Sequence, residues 1–196
     1  MPETRTDAEL ARGAASGHRA SFEELVRRHQ GTVYRICLRI LRDEGEAADA
    51  AQEAFLKAFR NLASYDPSRA FAPWLYRIAR NHSLDVARHK GLSVEVLERS
   101  DPDDEDDAAG AVGRDVADES EDALTRLEGA EVKARIGVAL ASLDPKYREP
   151  IELFHFEGLT YDAIASTLGI PIGTVMTRIH RGRARLAEAL KGMRTA

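Results

Sequence analysis

Apolar side chains recur along most of the chain at spacings of three and four, and nowhere do they alternate over the length of a strand. Thr6-Asp-Ala-Glu9 and Ser21-Phe-Glu-Glu24 each set a hydroxyl three residues before a glutamate, the reciprocal cap that opens a helix. From the second of these, Phe22, Leu25, Val26, His29, Val33, Ile36, Cys37 and Ile40 form one stripe, predicting a long helix that ends at a polar break around Gly45. A third helix is expected from about residue 47 to residue 62, burying Ala51, Phe55, Ala58, Phe59 and Leu62. Residues 64–73 hold two prolines and no period, which reads as a loop. A helix over residues 74–90 follows, with Leu75, Ile78, Ala79, His82 and Val86 turned inward.

Periodicity then lapses from Gly91 to about Ser120, a stretch rich in like charge and poor in large apolar side chains. Such a stretch cannot bury enough surface to offset its ordering entropy. It returns at Leu124, Leu127, Val132, Ile136, Leu140 and Leu143. Asp144-Pro145 supplies an N-cap and a proline at the first helical position, Gly158 is expected to close that helix, and Pro150 inside it removes a donor to the Lys146 carbonyl. Residues 159–190 read as two helices around a tight turn. Thr160 is a plausible N-cap, Ile164, Ala165 and Leu168 form one short face, and Gly169 and Pro171 stop the first helix. The second buries Val175, Ile179, Leu186 and Leu190. The expected fold is all-α: two small helical domains, residues 1–90 and 123–196, joined by a flexible acidic linker at 91–122, with a helix-turn-helix in the second.

Net charge alone, −5, argues against a nucleic-acid partner; its distribution reverses that reading. Residues 101–122 hold eleven acids and one base, a local charge of −10, which leaves +5 on the rest of the chain. Residues 171–194 hold six Lys or Arg against Glu188 alone. A short helix, a glycine turn and a long basic helix suit insertion into a major groove. Thr174, Met176, Thr177, His180 and Arg181 would then face the bases, with Arg178, Arg183 and Arg185 on the flanks. A solvated amphipathic helix would account for the charge but not for the turn chemistry. Five bases against Asp85 lie between residues 68 and 90, interleaved with Phe71, Trp74 and Tyr76. Rings beside cations suit unstacked bases, although Phe71 and Tyr76 fit a core role equally well. On the third helix Asp49, Gln52, Glu53, Leu56 and Arg60 lie about a quarter turn from the core face, so Leu56 is either a stray leucine or a protein contact.

One cysteine, Cys37, excludes a disulfide framework and fits the core of a protein from a reducing compartment. The N-terminus lacks the apolar run of a signal peptide and no segment reaches membrane-spanning length, so a cytoplasmic protein without membrane insertion is expected. Enzyme readings fail on spacing. Glu152-x-x-His155 is half of a di-iron motif without its other half, and His82, Asp85 and His89 spread over two helical turns, about 10 Å. No phosphate-binding glycine loop or nucleophile elbow is present, so no catalytic residue, metal or cofactor is expected.

Three blocks, DAAQEAFLKAF at 49–59, WLYRIARN at 74–81 and LTYDAIASTLGIPIGTVMTRIHRGRARL at 159–186, resemble bacterial sigma factors of the extracytoplasmic-function group, within the sigma-70 family. The resemblance covers about residues 20–90 and 124–190. It implies a non-enzymatic transcription initiation factor that binds core RNA polymerase and promoter DNA. On that resemblance Asp49, Gln52, Glu53 and Leu56 dock on the β′ clamp. Tyr65, Phe71, Trp74, Arg77, Asn81 and Arg88 engage the opened −10 region, with Tyr65 and Asn81 at a captured base. The second domain reads the −35 element beside the β flap, and the acidic linker threads the RNA exit path. The resemblance also implies a monomer when free of partners and an anti-sigma factor that covers its binding faces.

A different helix-turn-helix regulator, with a sensory or dimerisation domain at its N-terminus, predicts instead a tight dimer on palindromic half-sites without polymerase. The chain departs from the family at Met176, where many members carry Arg or Lys. Methionine cannot form arginine's bidentate pair with guanine, a contact worth about 1–3 kcal/mol of discrimination. Met176→Arg should therefore shift the −35 preference measured by promoter selection; an unaltered preference would remove Met176 from base readout.

Overall fold

The computed structural model describes residues 5–92 and 130–192, and every regular element among them is helical. In chain order these are α1 (Asp7–Ala15), α2 (Arg19–Leu41), α3 (Glu44–Arg60), a 3-10 turn (Leu62–Ser64), α4 (Phe71–His89), α5 (Ala130–Ser142), α6 (Pro145–His155), α7 (Tyr161–Leu168) and α8 (Ile172–Gly192). Contacts divide the chain into two units: residues up to 92 together with 162–170, and residues from 130 to 161 together with those from 171 onward. Apart from Gly91 and Leu92, the expected linker lies outside the described residues, as do Leu124 and Leu127.

In the first unit α2 is the central helix, packed against α1, α3 and α4, while α3 and α4 also pack on each other. The first expected capping box is present: Thr6 Oγ1 accepts from the Glu9 amide, and the Glu9 carboxylate accepts from the Thr6 amide at 2.8 Å. The second is not. α2 begins three residues earlier, at Arg19, with His18 rather than Ser21 as its cap; Ser21 is buried inside the first turn, and its amide donates to the His18 carbonyl. Glu24 instead accepts from Arg27 and Arg28, which hold its carboxyl down at about 2.

The break between α2 and α3 also falls elsewhere than Gly45. Arg42 takes the left-handed conformation (φ 58°), and Asp43 caps α3 by accepting from the Glu46 amide. Gly45 therefore lies inside the first turn of α3, which starts at Glu44 rather than Ala47. The inward face of α3 is nearly all alanine, with Ala47, Ala50, Ala51, Ala54 and Ala58 buried beside Phe55. Phe59, expected in the core, is 49% exposed. α4 starts at Phe71, three residues before its expected start, and buries Leu75, Ala79, Leu84 and Ala87. Cys37 is fully buried; burial pushes its thiol up, with a Ser83 hydrogen bond opposing.

In the second unit α8 packs on α6 and α5, around Leu140, Leu143, Ile151 and Leu186. Asp144 caps α6 by accepting from the Lys146 amide, with Pro145 at the first position, as its spacing implies. The helix runs on across the buried Pro150 but ends at His155, three residues short of Gly158. Gly182 is where α8 approaches α6: a Cβ there would lie 2.5 Å from Ile151 Cδ1 and 3.1 Å from Tyr147 Cβ. Between α7 and α8 the chain turns at Gly169 (φ 72°), whose amide donates to the Ala165 carbonyl. A residue bearing a Cβ would be strained in that left-handed conformation.

Two measurements follow from this packing. Gly182→Ala gains helix propensity but overfills the seam. A net loss of about 1–2 kcal/mol is expected, read as a lower midpoint in denaturant, and Ile151→Val should restore part of it. In the first unit, burial first and the neighbouring Lys57 second (its Nζ donates to Nδ1 at 2.8 Å) lower the pKa of His82 below 6.5. The folded state therefore prefers the neutral ring. Its stability is intact above pH 6.5 and declines as pH falls from there through the lowered folded value. His82→Gln should flatten that part of the stability profile.

Candidate polymerase and promoter interfaces

The outer face of α3 carries the first candidate surface. Asp49 and Gln52 are exposed, Glu53 is partly covered and accepts from Arg60 at 3.3 Å, and Leu56 is 43% exposed. These positions fall at i, i+3, i+4 and i+7, one side of the helix. Phe59 continues the side apolar-wards, its ring edge-on to Phe22 at 4.9 Å. Between α2 and α3 runs an open groove of about 940 Å³ whose lining includes Phe22, Val26, Tyr34, Phe55, Leu56 and Phe59. Sequence reasoning found Leu56 but missed Phe59 and Tyr34. The run of alanines at 47, 50, 51, 54 and 58 was the available signal, since it marks the true inner face and leaves Phe59 outside.

The second candidate surface is the 3-10 turn, the loop after it and the outer face of α4. Phe71 is only 2% exposed and Tyr65 only 7%. Their rings meet edge-on at 5.3 Å, and Tyr65 Oη donates to the Arg69 carbonyl at 2.6 Å, which ties the loop to the ring. Asp66 closes the same loop by accepting from the Ser68 amide and hydroxyl, contacts that lower its pKa. Burial raises the Tyr65 pKa, with Asp7 adding to it. Trp74 lies over both rings, 5.3 Å from Tyr65 and 5.6 Å from Phe71, and keeps part of its surface in solvent. Arg77, Asn81 and Arg88 extend from Trp74 along one exposed face of α4, with Arg88 donating to Asp85 at 2.8 Å. So the residues expected at the −10 strand divide into an inner pair, Tyr65 and Phe71, and an outer row, Trp74, Arg77, Asn81 and Arg88. The inner pair carries the outer row rather than facing solvent.

The third surface is α8. Val175, Ile179 and Leu186 are buried as their spacing implies. Among the residues expected to face DNA, His180 and Arg185 are exposed and Met176, Arg181 and Arg183 are partly covered. Thr174, Thr177 and Arg178 are buried, Arg178 at 3% exposure. Two of the basic side chains are held against α6: Arg185 lies over the Tyr147 ring at 4.2 Å, and Arg183 lies over Phe154 at 5.3 Å with His155 Nε2 accepting from it at 3.2 Å. Aromatic faces thus hold two guanidinium groups that a flexible arginine would otherwise have to order on binding.

Among the described residues no three His, Cys, Asp or Glu side chains converge as a metal site would require. No described helix is long and apolar enough to cross a membrane.

Residues 25–92 match sigma-70 region 2, and residues 133–186 match sigma-70 region 4. The chain is 37% identical to the extracytoplasmic-function (ECF) RNA polymerase sigma factor SigW of Bacillus subtilis, over 90% of its own length and 92% of that protein's. It is 39% identical to the ECF sigma factor SigE of Mycolicibacterium smegmatis over 87% of its own length, spanning 62% of that relative. Among solved structures it resembles CnrH in complex with the cytosolic domain of CnrY, at 29% identity and a TM-score of 0.67, covering 96% of this chain and 99% of that one. With regions 2 and 4 in that order on an all-helical chain, the protein belongs to the ECF sigma factors of the sigma-70 family, non-enzymatic factors for transcription initiation by RNA polymerase.

Proposed function

We propose that this sigma factor divides its work among the three surfaces described. The single observation that carries the reading is the pair of exposed apolar side chains, Leu56 and Phe59, beside an open apolar groove and rimmed by Asp49, Gln52 and Glu53. A water-facing leucine and phenylalanine cost solvation unless a partner covers them, and an apolar centre inside a polar rim is the composition of a protein interface. The β′ clamp of core polymerase is the proposed occupant.

Residues 1–90 then act as the −10 module. Trp74 offers a stacking face to an unpaired base, Asn81 a donor and an acceptor to a base edge, and Arg77 and Arg88 charge for phosphates. Tyr65 and Phe71 support the tryptophan from beneath. Capture of a base that has already left the stack lowers the free energy of the open state, so opening needs no nucleotide hydrolysis. Residues 123–196 act as the −35 module beside the β flap, with His180, Arg181, Arg183, Arg185 and Met176 at the duplex. Thr174, Thr177 and Arg178 join them only in a state in which they are uncovered. The acidic linker, with its charge of −10 over residues 101–122, occupies the RNA exit path as a mimic of RNA charge. The factor works in the cytoplasm as a monomer when free of partners. The complex of the related CnrH with the cytosolic domain of CnrY supports a comparable inhibitory partner, an anti-sigma factor, for this chain.

Two substitutions test the division. Leu56→Asp should weaken assembly with core polymerase by at least about tenfold, the scale for charging an interface anchor, and leave the fold intact because the site is exposed. Trp74→Ala should assemble normally but form open complexes poorly, read by permanganate reactivity of −10 thymines. Assembly by Leu56→Asp at wild-type affinity would remove the α3 face from the interface.

A further inference from the structure

The helix α1 precedes the region 2 match, which begins at residue 25, yet it is tied into the first unit by a polar chain that runs from the partly exposed Asp7 to the buried His29 and Tyr76. Asp7, at its first position, approaches His29 of α2 with Oδ2 2.7 Å from Nε2, and His29 Nδ1 lies 3.0 Å from the Tyr76 hydroxyl of α4. The roles follow from the inventory of donors. With Asp7 as a carboxylate that only accepts and one proton on the ring, Nε2 donates to Asp7 and Nδ1 accepts from the Tyr76 hydroxyl. Arg28 donates to the other Asp7 oxygen at 2.9 Å and to the Arg5 carbonyl, so the carboxylate is braced on both sides. His29 is 8% and Tyr76 5% exposed, so the chain runs where an unmet polar group is costly.

The His29 ring also touches the aromatic group under the proposed strand-capturing face. It lies 5.9 Å from Phe71, which lies 5.6 Å from Trp74. Packing density explains why that matters. Leu10, Ala11 and Ala14 of α1 are buried, so α1, His29, Phe71 and Trp74 form successive packed layers, and a shift in one is felt in the next. Nothing in the composition of α1 requires a buried ionic chain to hold a nine-residue helix, since its apolar side chains already bury it. What the chain adds is direction: the His29–Tyr76 hydrogen bond holds only over a narrow range of α4 rotation, whereas apolar contacts tolerate more.

We propose that Asp7, His29 and Tyr76 form a positioning strut that sets the orientation of Trp74 for strand capture, which makes α1 part of the promoter-opening apparatus. The proposal rests on the reading of the outer α4 face as the −10 surface. Trp74 is the only tryptophan in the chain, so its native fluorescence reports the strut directly in the free protein.

The test uses the full chain carrying Asp7→Asn or Tyr76→Phe, near-isosteric changes that keep the core filled. Iodide quenching of Trp74 is measured first. Each variant holoenzyme is then assayed on a promoter selected from a random duplex pool by the wild-type enzyme, and on the same promoter with its −10 region already unpaired. Quenching should rise about twofold. Opening of the duplex should fall roughly three- to tenfold, the scale for net loss of one ordinary intramolecular hydrogen bond. Core affinity and initiation on the unpaired template should stay within about twofold of wild type, whereas a merely structural role would lower all of these together. Unchanged quenching and opening in both variants, with Trp74→Ala defective on the duplex, would overturn the strut alone. A Trp74→Ala holoenzyme that opens the duplex normally would overturn the reading of α4 and the strut with it.

Discussion

The alanine face of α3 is the constraint from which the first unit is built. Ala47, Ala50, Ala51, Ala54 and Ala58 bury almost no volume each, so α3 can lie close to α2 and α4 without large side chains between the backbones. Close approach multiplies weak dispersion contacts, which is how small residues stabilise a seam that contributes little apolar area. It also has a second consequence. The large apolar side chains of this helix, Leu56 and Phe59, are then not needed inside, and the geometry leaves them in water beside the groove. A core made of bulky residues on α3 would have consumed the side chains that a partner needs.

On α4 the same division is drawn between layers. Leu75, Ala79, Leu84 and Ala87 are buried; Tyr65 and Phe71 form an intermediate aromatic layer; Trp74 is partly in solvent, and Arg77 and Asn81 are exposed. The intermediate layer is what permits a large ring to be presented without being loose. A tryptophan supported by two rings at 5.3 and 5.6 Å loses little further freedom when a base stacks on it, so more of the stacking energy is left for binding. The cations of α8 follow the same rule, with Arg183 and Arg185 resting on Phe154 and Tyr147.

Much of this was legible in the sequence because it is local. The three-four spacing located the helices, the Thr6–Glu9 box and the Asp144-Pro145 pair marked real starts, and Gly169 marked a real left-handed turn. Local signals failed where a second local solution was available. Ser21 and Glu24 have the spacing of a capping box, but Glu24 finds two arginines within its own helix and Ser21 is swallowed by an earlier start. Arg42 takes the left-handed conformation, so the break expected around Gly45 falls ahead of it. The spacing of Phe59 from Phe55 fits an inward stripe, but the alanine period sets the buried face and leaves Phe59 outside it. The site was less legible than the fold because burial of one face depends on what other helices bring. Periodicity places Thr174 and Thr177 on the face away from Val175 and Ile179 and Arg178 on its flank, yet all three are buried.

The polar chain through His29 could not be read in advance for a different reason. Its members are separated by 22 and 47 residues, and each alone has an ordinary explanation: an acid in a first turn, a histidine on a core stripe, a tyrosine among aromatics. Only their meeting gives them a role. An apolar trio would have held the three helices at least as tightly, since buried polar groups repay their desolvation only when fully paired. Hydrogen bonds, unlike apolar contacts, fail when one helix rolls by a few degrees about its axis. A chain of them across three helices therefore selects one arrangement from several of similar packing energy. For a helix whose outer row must meet a single strand of DNA, that selection matters more than the stability an extra leucine would add.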